Sequence, residues 1–185
     1  MPKTYSAKMS TRPVRLSYVT IDEASVKKSL SGKYSVVALI PKSDKIALKN
    51  IKAKMLECYE NNPSILGDFD FDTLVRIYDG AKAAPKGKKY PPEYKDFWVM
   101  NCSNKRPPLL QDANGEELLD SREIYSGCWA RLGLAFYPYS QQAGTGIGVS
   151  LDIIRKYKDD DSFAGSVVTE DYFGDDDEDE DSDDI

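Results

Sequence analysis

The residues with the clearest chemical potential lie in the stretch EIYSGCWARLGLAFYPYS, residues 123–140. Successive side chains of a strand point to opposite faces, so the stretch divides into two sets. One set is apolar and suits a core. The other set combines aromatic rings, an arginine and glycines. Its members are Tyr125, Gly127, Trp129, Arg131, Gly133, Ala135 and Tyr137. Aromatic rings stack on bases and arginine binds phosphates, so this face predicts nucleic-acid binding. The alternative is that a helix or a partner subunit covers the rings.

Two further segments combine basic and rigid residues. Residues 80–95, GAKAAPKGKKYPPEYK, hold five lysines against one acid and predict a loop. The segment NKRPP, 104–108, sets Lys105 and Arg106 beside a rigid turn. Either segment could contact the phosphates of a nucleic-acid strand, and either could be a solvated surface loop.

The charge is segregated along the chain. The net charge is −6, yet residues 1–158 hold all 25 Lys and Arg against 17 acids, a net charge of +8. Residues 159–185 hold the other 14 acids and no base. Such an acidic run repels itself and has little to bury, so it predicts a disordered tail. Tethered to a basic body, this tail would compete with nucleic acid for the same surface.

Composition excludes several classes of protein. Histidine is absent, which removes the commonest general base and zinc ligand. No apolar run approaches the ~20 residues that span a bilayer, and the first residues lack the apolar core of a secretory signal. The three cysteines, Cys58, Cys102 and Cys128, are odd in number and widely spaced, which favours reduced thiols in a cytoplasm. We expect no metal and no cofactor.

The elements that must position these residues are mostly strands. Alternation predicts strands at 12–21, 33–41, around 74–78, at 96–103, at 123–140 and at 147–158. Ser43 reads as the cap of one helix that extends to about Tyr59. The sum is a mainly β fold, an OB-like small barrel with one inserted helix and a disordered acidic C-terminal tail.

Two motifs favour other interpretations. DFDFD, 68–72, puts Asp68, Asp70 and Asp72 on one side of an extended segment, where a Mg²⁺-dependent nuclease could bind metal. The alternative is an acidic loop whose phenylalanines pack inward. GTGIGVS, 144–150, has neither nucleotide-binding spacing nor a following helix, and predicts a tight turn or bulge where backbone comes close.

Several stretches together resemble one family. VRLSYV, YSVVALIPKSD, SNKRPPLL, IYSGCWARLGLAFYPYS and GTGIGVSLDIIRKYKDDDSFAG occur in this order. They are similar to the phage single-stranded DNA-binding proteins, over roughly residues 12–165. The resemblance implies an OB-type barrel, no enzymatic activity, and a role in coating single strands during phage DNA replication and recombination. It also implies contacts with replication proteins, such as a DNA polymerase or helicase, through the acidic tail.

The resemblance and the residue patterns together define three segments. Residues 1–158 form the DNA-binding domain, 159–169 a linker and 170–185 the tail. The expected ligand is single-stranded DNA in the cytoplasm of a phage-infected host cell, and outward aromatic residues would equally suit a homodimer.

The predicted DNA-binding residues are Arg15, Lys82, Lys86, Lys88, Lys89, Trp98, Lys105, Arg106, Tyr125, Trp129, Arg131, Tyr137 and Tyr139. The predicted partner-binding residues are Tyr172, Phe173, Asp175, Asp176, Asp177, Glu178, Asp179, Glu180, Asp181, Asp183 and Asp184. The tail ends in Ile185 rather than in the aromatic residue common at such tips, so docking through the tip is in doubt. The remaining alternatives are an acidic-tailed protein-interaction module and the metal-dependent nuclease.

Overall fold

The computed structural model describes residues 4–163 of the 185-residue chain. The predicted tail, 170–185, and most of the predicted linker therefore lie outside the described residues. Among the described residues, no helix is long and apolar enough to cross a bilayer.

Within the described residues, the fold contains eight strands and four α-helices. The strands are β1 (Ala7–Ser10), β2 (Val14–Thr20), β3 (Tyr34–Pro41), β4 (Tyr78–Asp79), β5 (Phe97–Asn104), β6 (Leu109–Gln111), β7 (Trp129–Gln141) and β8 (Gly144–Lys158). The helices are α1 (Glu23–Lys28), α2 (Lys45–Glu60), α3 (Pro63–Leu66) and α4 (Phe71–Leu74).

Strand pairing closes a ring. The order β7–β2–β3–β5–β8 returns to β7 through the long β7–β8 hairpin. Neighbours in the ring are antiparallel except β5 and β8, which run parallel where Ser103 meets Ser150. Strands β1, β4 and β6 extend the ring at its margins. The mainly β fold that the sequence predicted is confirmed, and five of its strands close into a small barrel.

The core fills the ring and extends beneath α2. Inward residues of β7, such as Leu132 and Phe136, are fully buried. Ile51 and Met55 on one face of α2 join the same cluster, and the helix packs against β1, β3 and β7. The three cysteines are free and buried, and burial raises the pKa of Cys102 to about 12.

A second, smaller cluster lies on the outer surface of β3 and β5. The 80–95 segment, predicted as a loop, crosses this surface with two single-turn 3₁₀ helices. Its Tyr94 is buried against Leu39 and Val99, and its hydroxyl donates to Ser17 Oγ at 2.6 Å. Burial raises the pKa of Tyr94 to about 12.

Local sequence accounts for most element boundaries, with some differences. Asp44, rather than Ser43, caps α2 by accepting from the Ala47 amide. The predicted strand at 74–78 is wrong, because Phe71–Leu74 form a helical turn and β4 starts at Tyr78. Helices α1, α3 and α4 were not predicted, since each is only four to six residues long.

Substitutions on the two faces of β7 should differ in their effect on the free energy of unfolding. We expect Phe136→Ala, which empties a fully buried site, to lower the free energy of unfolding by about 3–5 kcal/mol. Tyr137→Ala, one residue along on the outer face, removes only a cross-strand contact of about 1 kcal/mol or less. Urea unfolding followed by circular dichroism would measure both. Equal losses would mean that the outward face of β7 is as tightly packed as the core.

Candidate nucleic-acid interface

The predicted alternation of β7 is confirmed, but its outward side chains do not form one continuous surface. Ala130, Leu132 and Phe136 point inward and are buried, whereas Arg131 and Tyr137 are exposed. Tyrosines occupy one end of the outward face, an arginine lies further along, and Trp129 lies at the other end. Each of these three regions has different neighbours.

At the first end, two tyrosine rings lie across the neighbouring strand. Tyr137 is paired with Gly148 and Tyr139 with Gly146. A Cβ atom added at Gly148 would lie 2.2 Å from Cζ of Tyr137, so only glycine lets that ring lie flat on β8. The ring centroids are 6.4 Å apart at an interplanar angle of 53°. One face of each ring is thus supported by backbone, and Tyr137 remains 38% exposed.

These rings form one wall of a groove of about 560 Å³, which we call the tyrosine groove. Its floor includes Asn101 and Ser103 of β5. Its basic residues are Lys33 and Arg76, and the guanidinium carbon of Arg76 lies 5.9 Å from the Tyr139 ring centroid. Pro85 also lines the groove, so the lysine-rich 80–95 segment borders it.

The groove continues into a second concavity of about 320 Å³ that shares Lys33, Ser103 and Tyr137 with it. Here the predicted residues Lys105 and Arg106 are brought into the same path. Within residues 4–163, neither of these residues, nor Lys33 or Arg76, has a carboxylate within ion-pair distance. The continuous groove therefore presents unpaired positive charge beside exposed aromatic rings.

At the other end of β7, the chain covers its own aromatic residues. Residues 159–163, which we call the acidic strap, were predicted as the start of a linker. Asp160 Oδ2 accepts the indole N–H of Trp129 at 2.8 Å and Asp160 Oδ1 lies 3.6 Å from the Arg15 guanidinium. The hydroxyl of Tyr125 lies 3.1 Å from Asp159 Oδ1.

Phe163 completes the acidic strap. Its ring centroid lies 4.2 Å from the Arg15 guanidinium carbon, and its amide donates to the Ser126 carbonyl at 2.9 Å. Close approach depends on Gly127, which has a φ of +118° and whose added Cβ would lie 2.2 Å from the Asp161 carbonyl oxygen. A carboxylate and an aromatic ring thus occupy the positions where a phosphate and a base could meet Arg15 and Trp129.

The electrostatics of the acidic strap follow from these contacts. The hydrogen bond from Trp129 is the main reason that the pKa of Asp160 lies below its ordinary value, and Arg15 adds to the effect. A hydrogen bond from Lys156 likewise lowers the pKa of Asp159. Both carboxylates are therefore held in their charged form.

Other predicted residues lie away from the tyrosine groove. Arg131 lines a separate pocket of about 150 Å³ beside Arg155, its cross-strand partner. Trp98 packs against the core beneath α2, with the Lys42 ammonium 5.3 Å from its ring centroid. The four loop lysines predicted to bind DNA, Lys82, Lys86, Lys88 and Lys89, are exposed. The roles assigned to these residues remain predictions.

The sequence interpretation missed part of the groove. Lys33, Arg76, Tyr78, Asn101 and Ser103 line it but were not predicted. Arg76 and Tyr78 could have been placed together from the sequence, because residues two apart in an extended segment point to the same face. Nothing local marks Lys33, which precedes β3 and reaches the groove only through the pairing of β3 with β5.

The nuclease alternative finds no support in the geometry. Asp68, Asp70 and Asp72 are exposed, and Phe71 packs against Tyr59 with ring centroids 5.5 Å apart. No group of three or more acidic or cysteine side chains within residues 4–163 could hold a metal ion. In GTGIGVS, Gly146 and Gly148 lie in β8 beneath the tyrosines, whereas Gly144, with a φ of +143°, directly follows the tight turn at 142–143 that the sequence predicted.

Comparison with known proteins points to one family. Residues 7–183 match the family model described as the ssDNA-binding protein of Enterobacter phage Enc34. The solved structure of the single-stranded DNA-binding protein from bacteriophage Enc34 is 25% identical, with a TM-score of 0.69, and the match covers 90% of this chain and 89% of that chain. The structure of the Enc34 protein in complex with ssDNA gives 24% identity, a TM-score of 0.70, and coverage of 85% and 89%.

A more distant relative shares the fold. The single-stranded DNA-binding protein gp2.5 of bacteriophage T7 is 14% identical, with a TM-score of 0.59, and the match covers 92% of this chain and 94% of that chain. No curated protein sequence matches the chain. The matched family and the two proteins seen in these three structures are described as single-stranded DNA-binding proteins and not as enzymes.

The acidic strap should respond to pH through Asp160. Because its pKa is lowered in the folded chain, its contribution to stability is present above about pH 4, the unfolded value, and is lost as pH falls through the lowered pKa. We expect Asp160→Ala to destabilise the protein by under about 1 kcal/mol at pH 7.

The difference in stability between the unsubstituted protein and Asp160→Ala should disappear in acid, once Asp160 is protonated in the folded chain. Urea midpoints at pH 7 and at a pH below the lowered pKa of Asp160, followed by circular dichroism, would measure it. A difference that grew on acidification would show that Asp160 stabilises the fold in its protonated form.

Proposed function

Because this chain belongs to the phage Enc34 single-stranded DNA-binding protein family, we propose that it binds single-stranded DNA in the tyrosine groove without sequence preference. The observation that carries the proposal is the pair of supported tyrosine rings in one groove with basic side chains that have no carboxylate partner within residues 4–163. The resemblance of the Enc34 protein, whose complex with ssDNA has been solved, supports the same ligand.

Stacking would supply base contacts that do not depend on sequence. Tyr137, which is 38% exposed, offers one ring face while β8 supports the other, and the half-buried Tyr139 lies beside it on β8 with Arg76 near its ring. Every base has a flat apolar face, and a base stacked on an aromatic ring contributes about 1–3 kcal/mol. Bases in a duplex are already stacked and paired, so the groove would favour single strands.

Basic side chains would bind the DNA backbone along the groove. Arg76 lies beside Tyr139 at one end, and Lys105 and Arg106 lie at the other. Lys33 lies in both parts and would contact the strand between them. The 80–95 loop lysines would add contacts from the groove margin. Each neutralised phosphate makes binding more sensitive to salt.

The acidic tail would regulate access. Residues 170–185 hold eleven acids, and tethering to the basic barrel gives them a high effective concentration there. They would occupy the groove when DNA is absent and be displaced when it binds. The acidic strap supports this idea, because it already places carboxylates against Arg15 and Trp129.

The biological role follows from the ligand. We propose that the protein coats single strands exposed during phage DNA replication and recombination, in the cytoplasm of an infected host cell. The displaced tail would then be free to contact replication proteins such as a DNA polymerase or helicase.

The stacking mechanism predicts the effect of removing a ring. We expect Tyr137→Ala and Tyr139→Ala each to weaken binding to an oligo-dT strand by about 1–3 kcal/mol, or roughly five- to 150-fold. Tyr157→Ala is a matched control, since Tyr157 is exposed on β8 but does not line the groove. Fluorescence anisotropy of a labelled strand would give the affinities. If the control lost as much affinity as the groove variants, the tyrosines would not be the stacking surface.

The electrostatic mechanism predicts two salt effects. Lys105→Ala or Arg106→Ala should reduce the steepness of the plot of log affinity against log salt by about 0.7. This is the change expected when a protein loses its contact with one phosphate of single-stranded DNA. Replacing the tail acids between 175 and 184 by Asn and Gln should tighten binding, most of all at low salt. Titrations at several salt concentrations would measure both effects. A tail-neutralised chain that bound DNA less tightly, or no differently, would exclude competition by the tail.

A further inference from the structure

A second basic pocket lies at the start of α2, apart from the tyrosine groove. It encloses about 350 Å³, and we call it the helix pocket. It shares no lining residue with the groove. Its lining residues are Lys42, Asp44, Lys45, Leu48, Lys49, Lys52 and Trp98.

The helix pocket carries excess positive charge. Lys42 is ion-paired with Asp79, and Asp44 with Arg12. The other three lysines are exposed, and none has an ion-pair partner among the described residues; they are Lys45, Lys49 and Lys52. The positive end of the α2 dipole is capped by the Asp44 carboxylate, so these three lysines carry the excess charge of the pocket.

The floor of the helix pocket is apolar. Leu48 and Trp98 are both half-buried there, with part of the indole facing the pocket. A ligand that suits this surface has negative charges for the lysines and an aromatic or aliphatic side chain for the floor. An acidic peptide containing an aromatic residue has both.

One segment of this chain has that chemistry. Tyr172 and Phe173 are followed by nine acids between residues 175 and 184. The C-terminal segment also begins within reach of the helix pocket. Phe163, the last described residue, packs against the same outer cluster of β3 and β5 as Phe97, which precedes Trp98 at the start of β5. The eight residues 164–171 can span up to about 28 Å when extended.

We propose that the helix pocket receives the C-terminal segment 172–184 of the same chain when DNA occupies the tyrosine groove. This inference rests on the proposed function, because it identifies where the displaced tail goes. Docking would replace the contacts that the tail loses in the groove, and so would reduce the penalty that the tail imposes on DNA binding.

The first test compares charge reversal in two tail backgrounds. Lys49→Glu/Lys52→Glu should weaken oligo-dT binding about twofold to fivefold in the full chain. The same pair should have no effect in the full chain whose tail acids are replaced by Asn and Gln. Lys8→Glu/Lys28→Glu is the matched control, since these lysines are exposed but do not line the pocket, and its effect should not depend on the tail. Equal weakening by Lys49→Glu/Lys52→Glu in both backgrounds would mean that the pocket binds DNA itself and would overturn the inference.

The second test follows the pocket directly. In a Trp129→Phe chain, Trp98 is the single tryptophan and its emission reports on the helix pocket. Adding oligo-dT should change this emission when the tail is acidic and leave it unchanged when the tail is neutralised. Anisotropy of the labelled strand would monitor DNA binding in the same samples.

The two readouts separate the two hypotheses. Binding by anisotropy with unchanged Trp98 emission in the acidic chain would reject the pocket inference and leave the proposed function intact. A Trp98 change in both backgrounds would also reject it. No binding of oligo-dT by the chain with Trp129 in place, measured by anisotropy, would reject the proposed function and the inference together.

Discussion

The long pairing of β7 with β8 is the interaction on which the rest of the structure depends. It closes the five-stranded ring and buries the inward residues of β7. The same register places Tyr137 over Gly148 and Tyr139 over Gly146. A shift of one residue would turn the apolar face outward and separate the rings from the glycines, so core packing and the groove select the same register. Fold and candidate site are therefore specified by one set of contacts.

Basic and acidic side chains lie in separate regions of the barrel surface. Basic side chains without carboxylate partners, as far as the structure describes the chain, gather in the tyrosine groove and in the helix pocket. Where carboxylates do meet the predicted binding face, they come from the acidic strap, directly after β8. The covalent order of the chain thus brings negative charge to the barrel at the point where the last strand ends. In the function proposed above, these carboxylates and the phosphates of DNA would compete for the same basic side chains.

Features encoded by local alternation could be predicted from the sequence, and features created by distant contacts could not. The strands β2, β3, β5, β7 and β8 and the helix α2 follow from periodicity and capping. The exposure of Tyr137 follows from the same pattern. The covering of Trp129 does not, because Asp160 lies 31 residues further along the chain. Likewise, Lys33 joins the groove only after β3 and β5 pair.

The buried cysteines have a consequence for how the protein senses its surroundings. Histidine and cysteine are the side chains that ordinarily titrate between about pH 6 and 9. This chain has no histidine, and burial raises the pKa of Cys58 to about 11 and that of Cys102 to about 12. The pKa of Cys128 is raised by burial as well. The raised cysteine pKa values and the absence of histidine leave few side chains that change charge near neutral pH, so we expect electrostatic binding to respond to ionic strength more than to small changes of pH.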